Sequence, residues 1–379
     1  MLFRSKWLSS APVLPEPFAR ARALFHSKLP GSATLEEGRP STPGQVTTER
    51  DVLALLEAQF PAVLGRLYVE RHFEERQKRD VLIIARRIKS ALGQRIARSD
   101  RLAPETRREA LRKLDRLEIG VGYPDRFPAL PRIRTDGRSA YALFRAAGFA
   151  QTSALLNLLG KPAARDVWWI GAYRSDGEDL SNRNAINIPA GLLLPPFYDP
   201  DADAAANYGG IGAVIGREMS RSFDLDGAML DADGQMRDWW TDEDRTAFAS
   251  GAAALAAQLS AYESRAGTMT AAAQTSDEIS ADLVGLRVTH DAYRASLSGK
   301  EPAVIKGFTG NQRFFIAFAQ SWAFKLRDPL VRQILAHGEQ TLPRYRVLTV
   351  RNLDVWYRAF NIEPGEPLYL PPEERVRVW

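Results

Sequence analysis

The chain has 379 residues, 45% of them hydrophobic, which is ample for one or two buried cores. Its net charge of +5 is modest for that length, and lysine and arginine are spread along it, so the basic balance reads as a solvated surface and no nucleic-acid motif accompanies it. With no cysteine, disulfides, thiol catalysis and cysteine-type zinc sites are excluded, and no two of the four histidines (His26, His72, His290, His337) have metal-ligand spacing.

The opening MLFRSKWLSSAPVLPEPFARARALF places Arg4 and Lys6 early and turns proline-rich, without the apolar core of a signal peptide. No run of about 18 apolar residues follows anywhere. The expectation is a cytoplasmic protein without a membrane span. Residues 1–30 read as a helix after a proline-marked start, and Gly31 to Thr48 as a loop. Asp51 to Phe73 and Glu74 to Arg98 have apolar residues at helical spacing. The second of these carries Arg86, Arg87, Lys89 and Arg95 on its other face, a solvated stripe or an interaction surface. Pro104 opens a third helix ending near Leu117, and Gly120 to Pro131 reads as a turn-rich connection.

Ser139 to Leu159 is helical again. Asp166 to Arg174 and Ala185 to Ile188 are the strand candidates. Helix then dominates over Gly209–Phe223, Asp242–Tyr262, Ser280–Ser296, Gly310–Lys325 and Asn352–Phe360. The acidic clusters at Asp199–Asp203 and Asp231–Asp233 do not fill a calcium-loop pattern and read as turns. Gly210, Gly212 and Gly216 imitate a dinucleotide fingerprint, but no strand precedes them, so they are expected to let a helix pack closely.

At the end of that glycine run stands Arg217-Glu218-Met219-Ser220-Arg221. Positions 217 and 221 are one helical turn apart and share a face. In H-E-x-x-H that face carries two zinc-binding histidines, with the glutamate as general base. Here both histidine positions hold arginine.

The surroundings supply the context. NAINIPAGLLLPPFYDPDADAAANYGGIGAVIGRE and DADGQMRDWW, within Asn184–Trp240, resemble the neprilysin-type metallopeptidases, the M13 family. So do Glu278-Ile279-Ser280-Ala281-Asp282 with its trailing leucines, GFTGNQRFFIAFAQSWAFK (Gly307–Lys325), the ending YLPPEERVRVW, LGRLYVERHF (Leu64–Phe73) and IGVGYPDRF (Ile119–Phe127). The resemblance covers nearly the whole chain. It implies a mainly helical α+β fold, with a zincin, thermolysin-like catalytic lobe over 165–379. A reduced helical lobe over 1–164, a remnant of the family's second domain, precedes it.

Residue by residue, the resemblance puts Glu218 at the general base, Glu278 at the third zinc ligand and Asp282 at the carboxylate that orients a ligand histidine. Arg346 matches the arginine that holds substrate. Arg217 and Arg221 replace the two histidines, and a guanidinium has no lone pair to give a metal. No zinc is therefore expected. Two arginines would instead compensate Glu218, Glu278 and Asp282 in an ion-pair network filling the metal's place. The family's transition-state histidine falls at Gln340, with His337 nearby, and its substrate-binding N-A-x-x strand falls at Asp176-Gly177-Glu178-Asp179 without the amide or aromatics.

The resemblance also begins about halfway through a family member. This implies an N-terminally truncated chain with apolar surface to cover, by homo-oligomer formation or by a partner chain supplying the missing half, possibly an active homologue. The expected function is a catalytically inactive homologue acting as a binding, regulatory or complex subunit. A rival from another class is a metal-free enzyme using Glu218, Glu278 or Asp282 as acid or base, with Arg217, Arg221 and Arg346 holding an anionic or peptide-derived substrate. Residual zinc endopeptidase activity through displaced ligands such as His337 is the third.

Overall fold

Proline decides where the first helices of the fold break. In the computed structural model, which describes residues 49–128, 139–161, 164–266, 276–328 and 342–378 together with positions 17 and 331, the expected helix over Asp51–Phe73 is two helices. They are α1 (Glu49–Gln59) and α2 (Pro61–His72). Pro61 fits the first turn of α2, where its missing N–H costs nothing, and Phe60 before it is held out of the helical region at φ −137°. The expected helix over 1–30 and loop over 31–48 lie outside the described residues.

α3 (Glu75–Arg98) is the long central helix, and its apolar stripe of Val81, Ile84, Ile88, Leu92 and Ile96 is buried. Its start is fixed by Gln77, whose side chain accepts the Glu74 backbone N–H at 3.0 Å. α4 (Pro104–Arg116) follows. Lys89 ties the two together by donating to the Asp115 and Leu117 carbonyls at 2.9 and 3.0 Å, where the last carbonyls of α4 lack helical partners.

The sheet has three short strands, β1 (Glu118–Gly122), β2 (Glu178–Leu180) and β3 (Ala185–Pro189), in the order β1-β3-β2. β1 runs parallel to β3 with Glu118 opposite Ala185, and β2 runs antiparallel to it with Leu180 opposite Ala185. Two expectations are corrected here. The start of the connection expected from Gly120 is strand: Gly120 lies against the Asn187 side chain and the Trp168 ring, and only Gly122, at φ +78°, turns the chain. Asp166–Arg174, expected as a strand, is irregular. Its backbone groups are taken by side chains and loops instead of a ladder: Val167 O accepts from Asn187, Trp169 N donates to Glu178, and Ala172 O accepts from Gly191 N.

α5 (Ala140–Leu156) precedes the strand pair β2–β3. After β3 the chain forms a turn of helix, α6 (Ala204–Asn207), a π-helical turn at Tyr208–Gly212, and then α7 (Ala213–Arg221). The later helices are α8 (Asp242–Ala266), α9 (Ser276–Ser296), α10 (Gly310–Ser321), α11 (Pro343–Val347) and α12 (Asp354–Phe360). One core joins α3, α7, α9 and α10 through residues such as Ile88, Ile215, Met219, Leu286, Tyr293 and Phe314. β1, from the first expected lobe, bonds along β3, from the second. The acidic clusters are turns. Asp203 caps α6 and pairs with Arg313 at 2.6 Å, while Asp231 accepts from the backbone of Asp233 and Gln235. No helix among the described residues is long and apolar enough to cross a membrane.

Candidate functional site

α7 and α9 touch backbone to backbone where Gly216 faces Gly285. A Cβ on Gly285 would stand 2.3 Å from the Arg217 nitrogen, and one on Gly216 would stand 2.6 Å from the Gly285 oxygen. The other glycines of the run pack closely too, Gly210 against the Phe197 carbonyl and Gly212 against Thr289. Hydroxyls bolt the crossing. Ser220 donates to the Ala281 carbonyl at 2.9 Å and Thr289 to the Gly212 carbonyl at 3.0 Å. This contact brings residue 217 of one helix beside residues 278 and 282 of the other.

The Arg217 guanidinium is the hub. It donates to Glu218 at 2.5 Å and to Glu278 at 3.2 Å, and its Nε lies 3.5 Å from Asp282. Asp282 is held from its other side by Arg346 of α11, whose Nε and Nη2 donate to the two carboxylate oxygens at 2.6 Å each. The Arg346 guanidinium in turn lies 3.8 Å from the centroid of the Trp322 ring. Glu218 and Asp282 are buried, with 4% and 2% of their side chains exposed. Burial works against the Arg217 charge, but Glu218, Asp282 and Glu278 outweigh it and raise its pKa above the ordinary arginine value.

Arg221 does not join this cluster. Among the described residues it has no carboxylate within ion-pair distance, and its buried Nε has no hydrogen-bond partner. A step of four residues rotates a side chain by about 40° and lifts it about 6 Å along the helix. That is enough to set Arg221 toward a second group of acids, Asp179 and Asp224, whose charged forms it favours. Burial nevertheless raises both: Asp179 sits above the usual carboxylate range and Asp224 is pushed up to about 6. Beside them Lys113 is pulled down to about 8 by burial, although Asp179, Asp224 and Asp231 favour its charge. Lys113 donates to the Gly227 and Leu230 carbonyls at 2.7 and 2.6 Å. Nothing in the sequence marked this second group, because a lysine on an amphipathic helix carries no sign of which way it faces.

β2 closes the site from the sheet side. Gly177, just before it, lies so near Glu218 that a Cβ there would be 2.9 Å from Cγ of that glutamate. Glu178 is turned away to Asn187 and the Trp169 backbone N–H. His337 and Gln340 lie outside the described residues. Among those described, no three His, Cys, Asp or Glu side chains converge as metal ligands would.

The profile of peptidase family M13 matches residues 180–376, and a second profile of the same family matches residues 2–124. The neutral endopeptidase of Lactobacillus helveticus is 29% identical, across 99% of this chain and 55% of its own length. The human endothelin-converting enzyme-like 1 is 29% identical, across 84% of this chain and 42% of its own. This chain thus spans about half the length of the curated relatives it matches. Among solved structures, the Mycobacterium tuberculosis zinc metalloprotease Zmp1, bound to an inhibitor, superposes with a TM-score of 0.81 at 35% identity, over 95% of this chain and 57% of that one. PepO from Lactobacillus rhamnosis gives 0.79 at 28% identity, over 97% and 56%.

Proposed function

This chain belongs to peptidase family M13, and from that premise we propose that it is a zinc-free, non-hydrolytic member that works as a binding subunit. The observation that carries the reading is Arg217, bonded to Glu218 and Glu278 and 3.5 Å from Asp282. Zinc does not fit that donor set. A catalytic zinc needs about three protein ligands with lone pairs, and a guanidinium offers none. A metal ion beside Arg217 would also meet a fixed positive charge. The two acids that could still bind it, Glu218 and Glu278, both accept from the Arg217 guanidinium, so an ion would have to displace that arginine.

Glu218 is poorly placed as a general base. Its carboxylate is engaged by Arg217, buried, and covered by Gly177. The metal-free enzyme reading needs a carboxylate that escapes arginine and faces an open cavity. Asp282 is gripped by Arg346 on both oxygens; of the acids that burial raises, Asp179 and Asp224 lie within the electrostatic reach of Lys113, and Glu178 is held by Asn187 and the Trp169 N–H. Binding has better support. α5 leaves Phe149, Leu155 and Leu156 exposed, Phe149 by 76%, and α1 adds Leu53 and Leu56. The proposed role of this apolar face is to seat a second polypeptide, either another copy of the chain or a different partner.

Native mass spectrometry of the protein taken from its own cells tests both halves. The expected species is a zinc-free complex of two or more chains, which the paired substitutions Phe149→Asp and Leu156→Asp dissociate. One zinc per chain overturns the metal reading. A zinc-free monomer overturns the subunit reading.

A further inference from the structure

Nine residues beyond Glu278, about 13 Å along the axis of α9, the helix enters a different environment. Arg287, Asp291 and Arg294 face an open cleft of about 1350 Å³, walled by α3 on one side and by α12 and the C-terminal segment on the other. Among the described residues its lining holds nine arginines against four carboxylates, and no lysine, phenylalanine, tyrosine or tryptophan. None of the Arg217 cluster belongs to it. The arginine stripe of α3 finds its place here: Arg87 and Arg95 turn into the cleft, whereas Lys89 is spent on the end of α4.

Three of the nine are neutralised locally. Arg95 pairs with Asp291 at 2.6 Å, Arg375 with Asp354 at 2.6 Å, and Arg294 bonds to Glu301. Others are not. Arg98 and Arg358 are exposed, and their side chains have neither a hydrogen bond nor an ion pair among the described residues. Arg377 comes no nearer than 3.9 Å to an acid among the described residues. Arg287, deeper, has only carbonyl partners among the described residues, those of Asn352 and Val376 at 3.1 and 3.4 Å. Its pKa is lowered to about 10, first by burial and then by the like charges of Arg95 and Arg377, so it stays charged at neutral pH while repelling its neighbours. Like charges held this close are relieved by an anion placed among them.

We propose that this cleft is a binding site for a small, multiply charged phosphate anion, held by Arg287, Arg98, Arg358 and Arg377. Guanidinium forks match phosphate oxygens two at a time, which an all-arginine, lysine-free lining favours. The one aromatic ring among the described lining residues, His290, is 8% exposed and packed against Phe314 and Phe315, so it leaves no open platform on which a nucleobase would stack. An acidic peptide is a poorer fit, since it spreads its charge and brings side chains that need apolar pockets, while the apolar part of this lining is a few small aliphatic groups such as Ala91 and Val355. Inorganic triphosphate is the simplest ligand of the required kind. The site is independent of the fate of the Arg217 cluster.

Titration calorimetry on the full chain, with sodium triphosphate as the probe, tests the assignment. The expected result is a single site whose affinity falls as salt rises and falls at least about tenfold in the Arg98→Ala/Arg358→Ala variant, each lost contact being a charge-assisted one. Neither arginine has a bond to lose, so the variant keeps its melting temperature. An Arg108→Ala control, outside the cleft, binds as the parent does. ATP binds no tighter than triphosphate. Absence of binding at millimolar triphosphate overturns the proposal. So does an affinity that the double variant leaves unchanged, or a pentaglutamate peptide that binds more tightly than triphosphate.

Discussion

Replacing Arg217 by alanine removes the hub of the α7–α9 cluster, and the three carboxylates around it respond differently. Asp282 keeps its two bonds from Arg346. Glu278, with 22% of its side chain exposed, can be reached by water. Glu218 has only 4% exposure and, among the described residues, no other hydrogen-bond or ion-pair partner. The loss therefore falls on one buried carboxylate. Stranding one member of a buried pair costs about 3–5 kcal/mol, and the partial exposure of Arg217 itself argues for the lower end, about 3. With an unfolding entropy of about 2.1 cal/mol/K per residue, a 379-residue chain has roughly 0.8 kcal/mol/K, and the melting temperature should fall by about 4 °C. Calorimetry at a fixed scan rate, or a urea midpoint, reads this. The decisive variant is the pair Arg217→Ala with Glu218→Gln. If an uncompensated charge is the cause, neutralising Glu218 recovers about 2 kcal/mol, a coupling expected of groups in direct contact. A double variant no more stable than Arg217→Ala alone refutes the reasoning and makes Arg217 a packing residue.

Two further outcomes follow from the same geometry. Asp224, raised by burial to about 6, binds a proton in the folded state over a range, from about pH 4 to 6, where the unfolded carboxyl has already lost it. Stability from this group is therefore greatest below pH 4 and declines as pH rises through 6, by at most about 3 kcal/mol; Asp224→Asn should flatten that slope and melt higher than the parent at pH 7.5. Gly285→Ala forces a methyl to within 2.3 Å of the Arg217 nitrogen, so α7 and α9 must part. It should cost about 1–3 kcal/mol in urea denaturation, and the Arg217–Glu218 coupling should shrink in the same background.

The split of the first helix at Pro61 and the missed strand at Glu118–Gly122 show how far local signals reach. Proline acts through its own ring, so its effect is visible wherever it stands. Gly120 looks the same in the sequence whether it ends a segment or makes room for Asn187 and Trp168, which lie far along the chain. Asp166–Arg174 has the composition of a strand, yet its hydrogen bonds go to Glu178 and Asn187, and no window of that stretch records this.

The candidate site divides along the same line. The sequence by itself determined its chemistry: two arginines at the histidine positions, three carboxylates around them, Arg346 beyond, and a family resemblance that named all six. It also carried the glycines that let two helices meet. Only the tertiary structure decided which arginine meets which acid. Arg217 closes on Glu218, Glu278 and Asp282, while Arg221, one turn away on the same face, looks toward Asp179 and Asp224 over a buried Lys113. The arginine cleft is likewise assembled from α3, α9, α12 and the C-terminal segment, parts of the chain hundreds of residues apart. Residue type fixes what a side chain can bond to, but its partners are set by the crossing of helices. That crossing depends on the whole core at once.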